Sequence, residues 1–247
     1  MGTEITKHNL TGLPQLYAIN VFDESSVQRQ PLGSIGYDAG GRRFRYVRVG
    51  AAALNAGDLL QTPARDTAFT DMAVQAAVAQ YSDTVPVTLG GTLTTKDLFA
   101  EGFMTVTVTP GGGYTYAVKG NAAAAANATD NFYLKTGVKV ALTTSSKVTV
   151  MHNPYDGVIQ SPTTATGISV GVANFVQTAA YYSWIGVEGY FAVLASTTVQ
   201  AIGGGVQAKN SSTAGAVNIL ASAGYQIGGA PILGVTTEWQ IVYLTLP

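Results

Sequence analysis

Short runs of alternating apolar and polar residues dominate the chain from residue 84 onward. The segments TVPVTLG (84–90), FMTVTVT (103–109), YTYAVKG (114–120), FYLKTGVKVAL (132–142) and SKVTVMHN (146–153) predict strands, because side chains two apart share one face of a sheet. In MTVTVT the pattern puts Met104, Val106 and Val108 on one face and Thr105, Thr107 and Thr109 on the other. PGGG (110–113) and NPYDG (153–157) supply turn chemistry between strands. AAAAA (122–126) is bracketed by Gly120-Asn121 and Asn127 and reads as a loop. Further on, YYSWIGVEGYFAVLA (181–195), APILGVTT (230–237) and EWQIVYLTL (238–246) are also strand-like.

Upstream, FRYVRV (44–49) predicts a strand, and NAGDLLQ a turn at Asn55–Asp58 leading into another. DMAVQAAVAQ (71–80) is the best helix candidate, with Asp71 as its cap, and a strand is the competing assignment. Residues 1–35 show no sustained period. Their apolar residues Leu13, Leu16, Tyr17, Ile19 and Phe22 are separated by Gly12, Pro14, Pro31 and Gly33, which predicts an extended arm that orders against a partner. The expected fold class is therefore all-β, with antiparallel barrel- or sandwich-like lobes and an extended N-terminal arm. The expected division is an arm over 1–35, a β lobe over 36–156 and a low-charge β lobe over 157–247.

Composition sharpens this picture. Charged residues are 11% of the chain, against a usual share of roughly 25%. From Gly157 onward only Glu188, Lys209 and Glu238 are charged. A surface so poor in charge implies cover by other subunits, with a Ser/Thr/Asn/Gln surface as the alternative. There is no cysteine, so neither a disulfide framework nor a Cys-based zinc site can form. The opening MGTEITKHNL lacks the apolar core of a signal peptide, and no stretch reaches the ~20 apolar residues of a spanning helix, so no membrane partner is expected.

Four arginines crowd GRRFRYVRV (41–49). On a strand, Arg43, Arg45, Val47 and Val49 share one face, and Arg42, Phe44, Tyr46 and Arg48 the other. Neither face is wholly basic, and the net charge is −1, so a phosphate-tracking surface is a poor fit and no nucleic-acid partner is expected. The reading set against it is an edge strand whose guanidinium groups pair with carboxylates on another subunit. The candidate interface residues are Arg42, Arg43, Arg45 and Arg48, with Leu13, Leu16, Tyr17, Ile19 and Phe22 of the arm. His8 and His152 lie far apart, and His152 with Asp156 is too few ligands for a metal site. No Gly-x-Ser-x-Gly elbow or phosphate loop is present. No catalytic residue, cofactor or metal is assigned, and no enzyme activity is expected.

Taken in order, YDAGGRRFRYVRVGAAALNAGDLLQ, VALTTSSKVTVMHNPYDGVIQSPTTATGISVGVA, AAYYSWIGVEGYFAVLA and GAPILGVTTEWQIVYLTLP resemble structural proteins of tailed bacteriophages, marine ones especially, of the capsid decoration, cement or auxiliary type. The resemblance covers most of 36–247, and the arm is its least familiar part. It implies a non-catalytic virion protein, made in the host cytoplasm and carried on the capsid exterior. There it would bind the major capsid protein and reinforce the shell. Closed symmetry, and a homotrimer in particular, is the expected assembly. A head fibre or tail component that binds host surface glycans is the alternative.

Overall fold

The computed structural model describes residues 20–164, 166–196, 203–207, 213–220, 226–230 and 238–246. In chain order the strands are β1 (Ile35–Tyr37), β2 (Arg43–Val49) and β3 (Leu59–Gln61). Then come β4 (Met72–Ala73), β5 (Thr84–Thr88), β6 (Phe103–Val108), β7 (Thr115–Asn121), β8 (Thr129–Leu134) and β9 (Lys147–Met151). The series ends with β10 (Asp156–Gln160), β11 (Ser169–Ala173), β12 (Tyr182–Leu194), β13 (Gly205–Gln207), β14 (Asn218–Ile219), β15 (Gln226–Gly229) and β16 (Trp239–Thr245). Apart from one 3-10 turn at Thr67–Phe69, all regular structure among the described residues is strand, so the all-β expectation holds.

The chain forms two compact units, one from Met1–Pro63 and Tyr155–Pro247, the other from Ala64–Pro154. This differs from the expected lobes over 36–156 and 157–247. β3 and β10 are antiparallel neighbours, with Ile159 opposite Gln61 and Gln160 opposite Leu60. Residues between them therefore form a whole barrel placed inside what would otherwise be a hairpin loop. The drop in charge at Gly157 falls within three residues of the unit boundary at Pro154–Tyr155, but the expected division lacks the boundary at Pro63–Ala64, which joins the early strands to the C-terminal ones.

In the discontinuous unit, β2, β10, β3, β11 and β12 hydrogen-bond in a ring that closes where β12 pairs with β2, giving a five-stranded barrel. All its pairings are antiparallel except β10 with β2, which is parallel. β12 is long enough for two tasks. Its first half pairs with β2, and Glu188–Leu194 pairs with β16, from which β15, β13 and β14 continue the sheet. Phe44, Val47, Val49, Leu59, Leu60, Trp184, Ile185 and Val187 are buried in this core. Gly186 lies directly opposite Phe44. A Cβ there would stand 2.3 Å from the Phe191 ring, so only glycine lets Phe191 meet Phe44 edge-on with centroids 5.6 Å apart.

The continuous unit is a six-stranded sheet in the order β4-β9-β6-β7-β8-β5. Its ends approach through the Val74–Val87 bridge and a hydrogen bond from Gln75 N–H to the Pro86 carbonyl, 2.9 Å, so the barrel is nearly closed. Pro86 explains why closure is thin: in β5 it can accept a ladder bond but has no N–H to donate. Inside are Phe99, Met104, Val106, Val118, Phe132 and Val148.

The helix considered for 71–80 is not formed. Met72, Val74 and Val78 are buried, β4 takes Met72–Ala73, and Val74 and Val78 donate to the Ser146 and Leu142 carbonyls. Asp71, with φ 55°, is outside the extended backbone an N-cap uses. Val108 also departs from its expected face. A register shift between Val106 and Val108 leaves it exposed. The strand expected over 132–142 ends at Leu134, and most of APILGVTT lies outside the described residues.

Residues 20–34 lie against the unit's own barrel, not free as an arm. Ser25 bridges Tyr182, the Glu24 carboxylate accepts from Thr178 N–H at 2.7 Å, and Arg29 N–H donates to the Tyr46 hydroxyl at 3.0 Å. Leu32 packs on the core, and Val21 is buried in it.

Candidate functional site

β2 is not an edge strand. β12 runs along one side of it, and β1 and β10 share the other. Three arginines in and just before β2 reach carboxylates in the same chain: Arg42 Nε contacts Asp38 at 2.7 Å, Arg43 pairs with Glu188 and Arg48 with Asp156. Arg45 instead donates from Nη1 to the Gly33 carbonyl, 2.8 Å, with its guanidinium 5.3 Å from the Tyr155 ring centroid. Arg43 lies over Tyr37 and Arg42 over both Phe44 and Phe191. The expected pairing of these arginines is present, but within the chain. Arg43 and Arg48 tie β2 to β12 and β10, whereas Arg42 and Arg45 hold the segment just upstream of β2.

The local electrostatics follow from this packing. Burial works to raise the Asp38 carboxyl, but the side-chain and backbone hydrogen bonds from Arg42, with its charge, outweigh it and hold the group below the usual aspartate range. Burial pushes the Tyr46 and Tyr155 hydroxyls above the ordinary tyrosine value. In the continuous unit, hydrogen bonds from Lys147 and Thr107 lower Asp71.

Of the arm residues proposed for an interface, Leu13, Leu16, Tyr17 and Ile19 lie outside the described residues. Phe22 is described, 54% exposed, with its ring edge toward Phe175 at 6.3 Å. His152 packs on the Phe99 ring, centroids 4.4 Å apart. Among the described residues no cluster of three metal-ligating side chains occurs, and no helix is long and apolar enough to cross a membrane.

Two features were not singled out from the sequence. The first is the outward face of the sheet extension. β16 alternates so that Gln240, Val242 and Leu244 are buried while Trp239, Ile241 and Tyr243 stand out. Tyr243 lies opposite Tyr190 of β12, ring centroids 5.0 Å apart, and on its other side opposite Gly229, which pairs in turn with Gly205. The result is an aromatic ridge beside the glycine pair, with the Leu220 and Gln226 side chains lying over Gly205. EWQIVYLTL carried the signal: Trp239, Ile241 and Tyr243 on one parity and Val242, Leu244 and Leu246 on the other make both faces of the strand apolar.

The second is a groove of about 320 Å³ on the barrel side of β12, bordered by Phe22, Arg42, Asn174, Tyr190, Phe191 and Trp239. Trp239 is 62% exposed yet fixed, because its indole N–H donates to the Ala56 carbonyl at 2.9 Å. Gly57, at φ 80°, lets the ring approach so closely that a Cβ would come within 2.3 Å of it. Asn174 Nδ2 donates to the Trp184 carbonyl at 3.1 Å, while its Oδ1 is buried without a partner.

No protein-family model, curated protein or solved structure matches the chain.

Proposed function

We propose that the protein is a structural component of a tailed-bacteriophage virion. It associates with itself, as a trimer, through the low-charge sheet extension. It decorates the capsid exterior by binding the major capsid protein lattice and reinforcing the shell, and it has no catalytic role. The observation that carries this reading is the Tyr190–Ile241–Tyr243 face: large apolar side chains standing out of a rigid sheet, in the part of the chain that has almost no charge to keep such a face in water. The ordered resemblance of residues 36–247 to phage decoration proteins supplies the virion context. A protein of this kind needs a stiff body and repeated weak contacts, since several sites engaged at once on a lattice raise the effective concentration of each.

Two measurements test the reading. Light scattering of the purified protein should give a trimer, and Tyr243→Glu should shift it toward monomer. Densitometry of purified particles should find the chain in a fixed, high ratio to the major capsid protein. A wild-type monomer in solution and on particles, or only a few copies per particle, would overturn the proposal.

A further inference from the structure

The groove beside Trp239 shares Tyr190 and the outward side of β16 with the proposed assembly face, so the inference rests on this edge of that face staying open when copies associate, and it does not depend on capsid attachment. We infer that it binds a neutral pyranose ring of an oligosaccharide.

Three observations converge. Trp239 and Tyr190, both more than half exposed as residues, border the groove, and Trp239 is held in place by its bond to the Ala56 carbonyl and by close contact with Gly57. An aromatic ring that is both fixed and bare offers a flat apolar platform at little cost in side-chain freedom. A pyranose presents a complementary surface, the C–H groups on one face of its ring. Next, the polar groups at the groove suit hydroxyls. Arg42 commits Nε to Asp38 and makes no hydrogen bond through its Nη groups, which leaves N–H donors at the groove. A sugar hydroxyl accepts as well as donates, so it can take a bond from these N–H groups.

The third observation is charge. The Arg42 guanidinium is neutralised by Asp38 at 2.7 Å, so the groove has no net demand for an anion. The same guanidinium lies 5.5 Å from the Phe44 centroid and 5.2 Å from that of Phe191. It therefore already fills the cation position that an aromatic cage would offer to a quaternary ammonium group. The volume, about 320 Å³, suits one or two rings and not a length of folded chain.

The experiment uses the full chain. Its tryptophans are Trp184, which is buried, and Trp239, which is exposed, so a ligand in the groove reports through Trp239. Oligosaccharides derived from amylose, cellulose and chitin are titrated to several millimolar, with tetramethylammonium and poly-L-proline in parallel. At least one oligosaccharide should give a saturable change in emission. Tyr190→Ala, which leaves Trp239 as reporter, should weaken it about tenfold. Trp239→Ala should abolish binding by calorimetry, and an unchanged thermal transition in Tyr190→Ala keeps the result interpretable if Trp239→Ala folds poorly. Saturable binding of tetramethylammonium or poly-L-proline alone, no response to any of the oligosaccharides, or unaltered affinity in Tyr190→Ala would overturn the assignment. So would protection of Trp239 from iodide quenching that grows with protein concentration, since a second copy would then occupy the groove.

Discussion

The two units solve one problem, closing a small β-sheet on itself, with different materials. In the continuous unit, β6, β7 and β8 pair in sequence order, and side chains that alternate along single strands share the core with residues from the connecting segments, such as Phe99 and Leu142. In the discontinuous unit, β2 finds its neighbours across the inserted barrel. The Arg43–Glu188 pair joins residues 145 positions apart. Local contacts form at low cost in loop entropy, whereas distant pairings must gain enough to offset it. The discontinuous unit meets that need with a denser set of specific contacts: ion pairs from β2, guanidinium groups on aromatic rings, and the Tyr46, Tyr182 and Trp184 cluster. The continuous unit has one ion pair among its described residues, Lys147–Asp71, in which both side chains are nearly half exposed. Ion pairs and guanidinium–ring contacts are thus concentrated in the discontinuous unit, while the continuous one relies on neutral donors around the buried Asn121 and Asp130.

The strongest challenge to this contrast is a cavity in the simpler core. Phe132 is fully buried and packs on Phe99 at 5.6 Å. Phe132→Ala should destabilise residues 64–154 by about 3–5 kcal/mol, the usual cost of a lost aromatic in a packed core. Hydrogen exchange should show the loss of protection in β5 to β8. Equal loss in β2 and β12 would contradict the division into two units.

A smaller effect tests the ion pairs. Arg43 and Glu188 are both about one-third exposed, so screening limits what the pair contributes. Arg43→Ala should cost up to about 1 kcal/mol, with the loss reduced in high salt. Lys147→Ala, at the more exposed pair of the other barrel, should cost less. Urea titrations followed by tryptophan emission read the first, since both tryptophans lie in the discontinuous unit, and tyrosine emission or circular dichroism reads the second. A larger effect from Lys147→Ala would reverse the comparison.

The same contrast explains what could be read from the residues alone. Alternation made β5, β6, β7 and β9 visible because each buries one face against near neighbours. It also placed Met104 and Val106 correctly. It could not anticipate the bulge that turns Val108 outward, because a register shift depends on the partner strand. The β2 segment was recognisable as a strand, but its central position was not. Asp38 lies four residues from Arg42, but Asp156 and Glu188 are far off in the sequence, and only folding brings them to Arg48 and Arg43. The drop in charge at Gly157 lies close to the unit boundary at Pro154–Tyr155, whereas the boundary at Pro63–Ala64 carries no comparable change in composition, so the return of the early strands to the C-terminal unit was not legible. The groove was harder still. Phe22 was noticed for its apolarity, but Arg42, Asn174, Tyr190 and Trp239 come from four separate segments, and the position of Trp239 rests on a bond to a backbone carbonyl.

The smallest expected effect concerns acid, and it separates the two units by burial. The Asp38 carboxyl is largely enclosed, 18% exposed, and accepts from Arg42 through both its side chain and its backbone N–H. Burial alone would raise it, but these bonds and the guanidinium charge bring it below its unfolded value. As pH falls, the unfolded chain therefore takes up the proton first. The stabilisation is present above the ordinary aspartate range, near 3.9, and is lost as pH falls through the lower folded value. Because Arg42 is itself more than one-third exposed, the contribution is a few tenths of a kcal/mol, about the size of a good surface pair. Asp71 is shifted in the same direction by Lys147 and Thr107, but it is open to solvent, so salt should flatten its effect. Acid titrations of Asp38→Asn and Asp71→Asn at low and high salt make the comparison. Asp38→Asn should remove a pH dependence that survives salt, whereas Asp71→Asn should remove one visible only at low salt. If the two substitutions behave alike, or the Asp38 dependence vanishes in salt, enclosure by Arg42 is not what holds that carboxyl down.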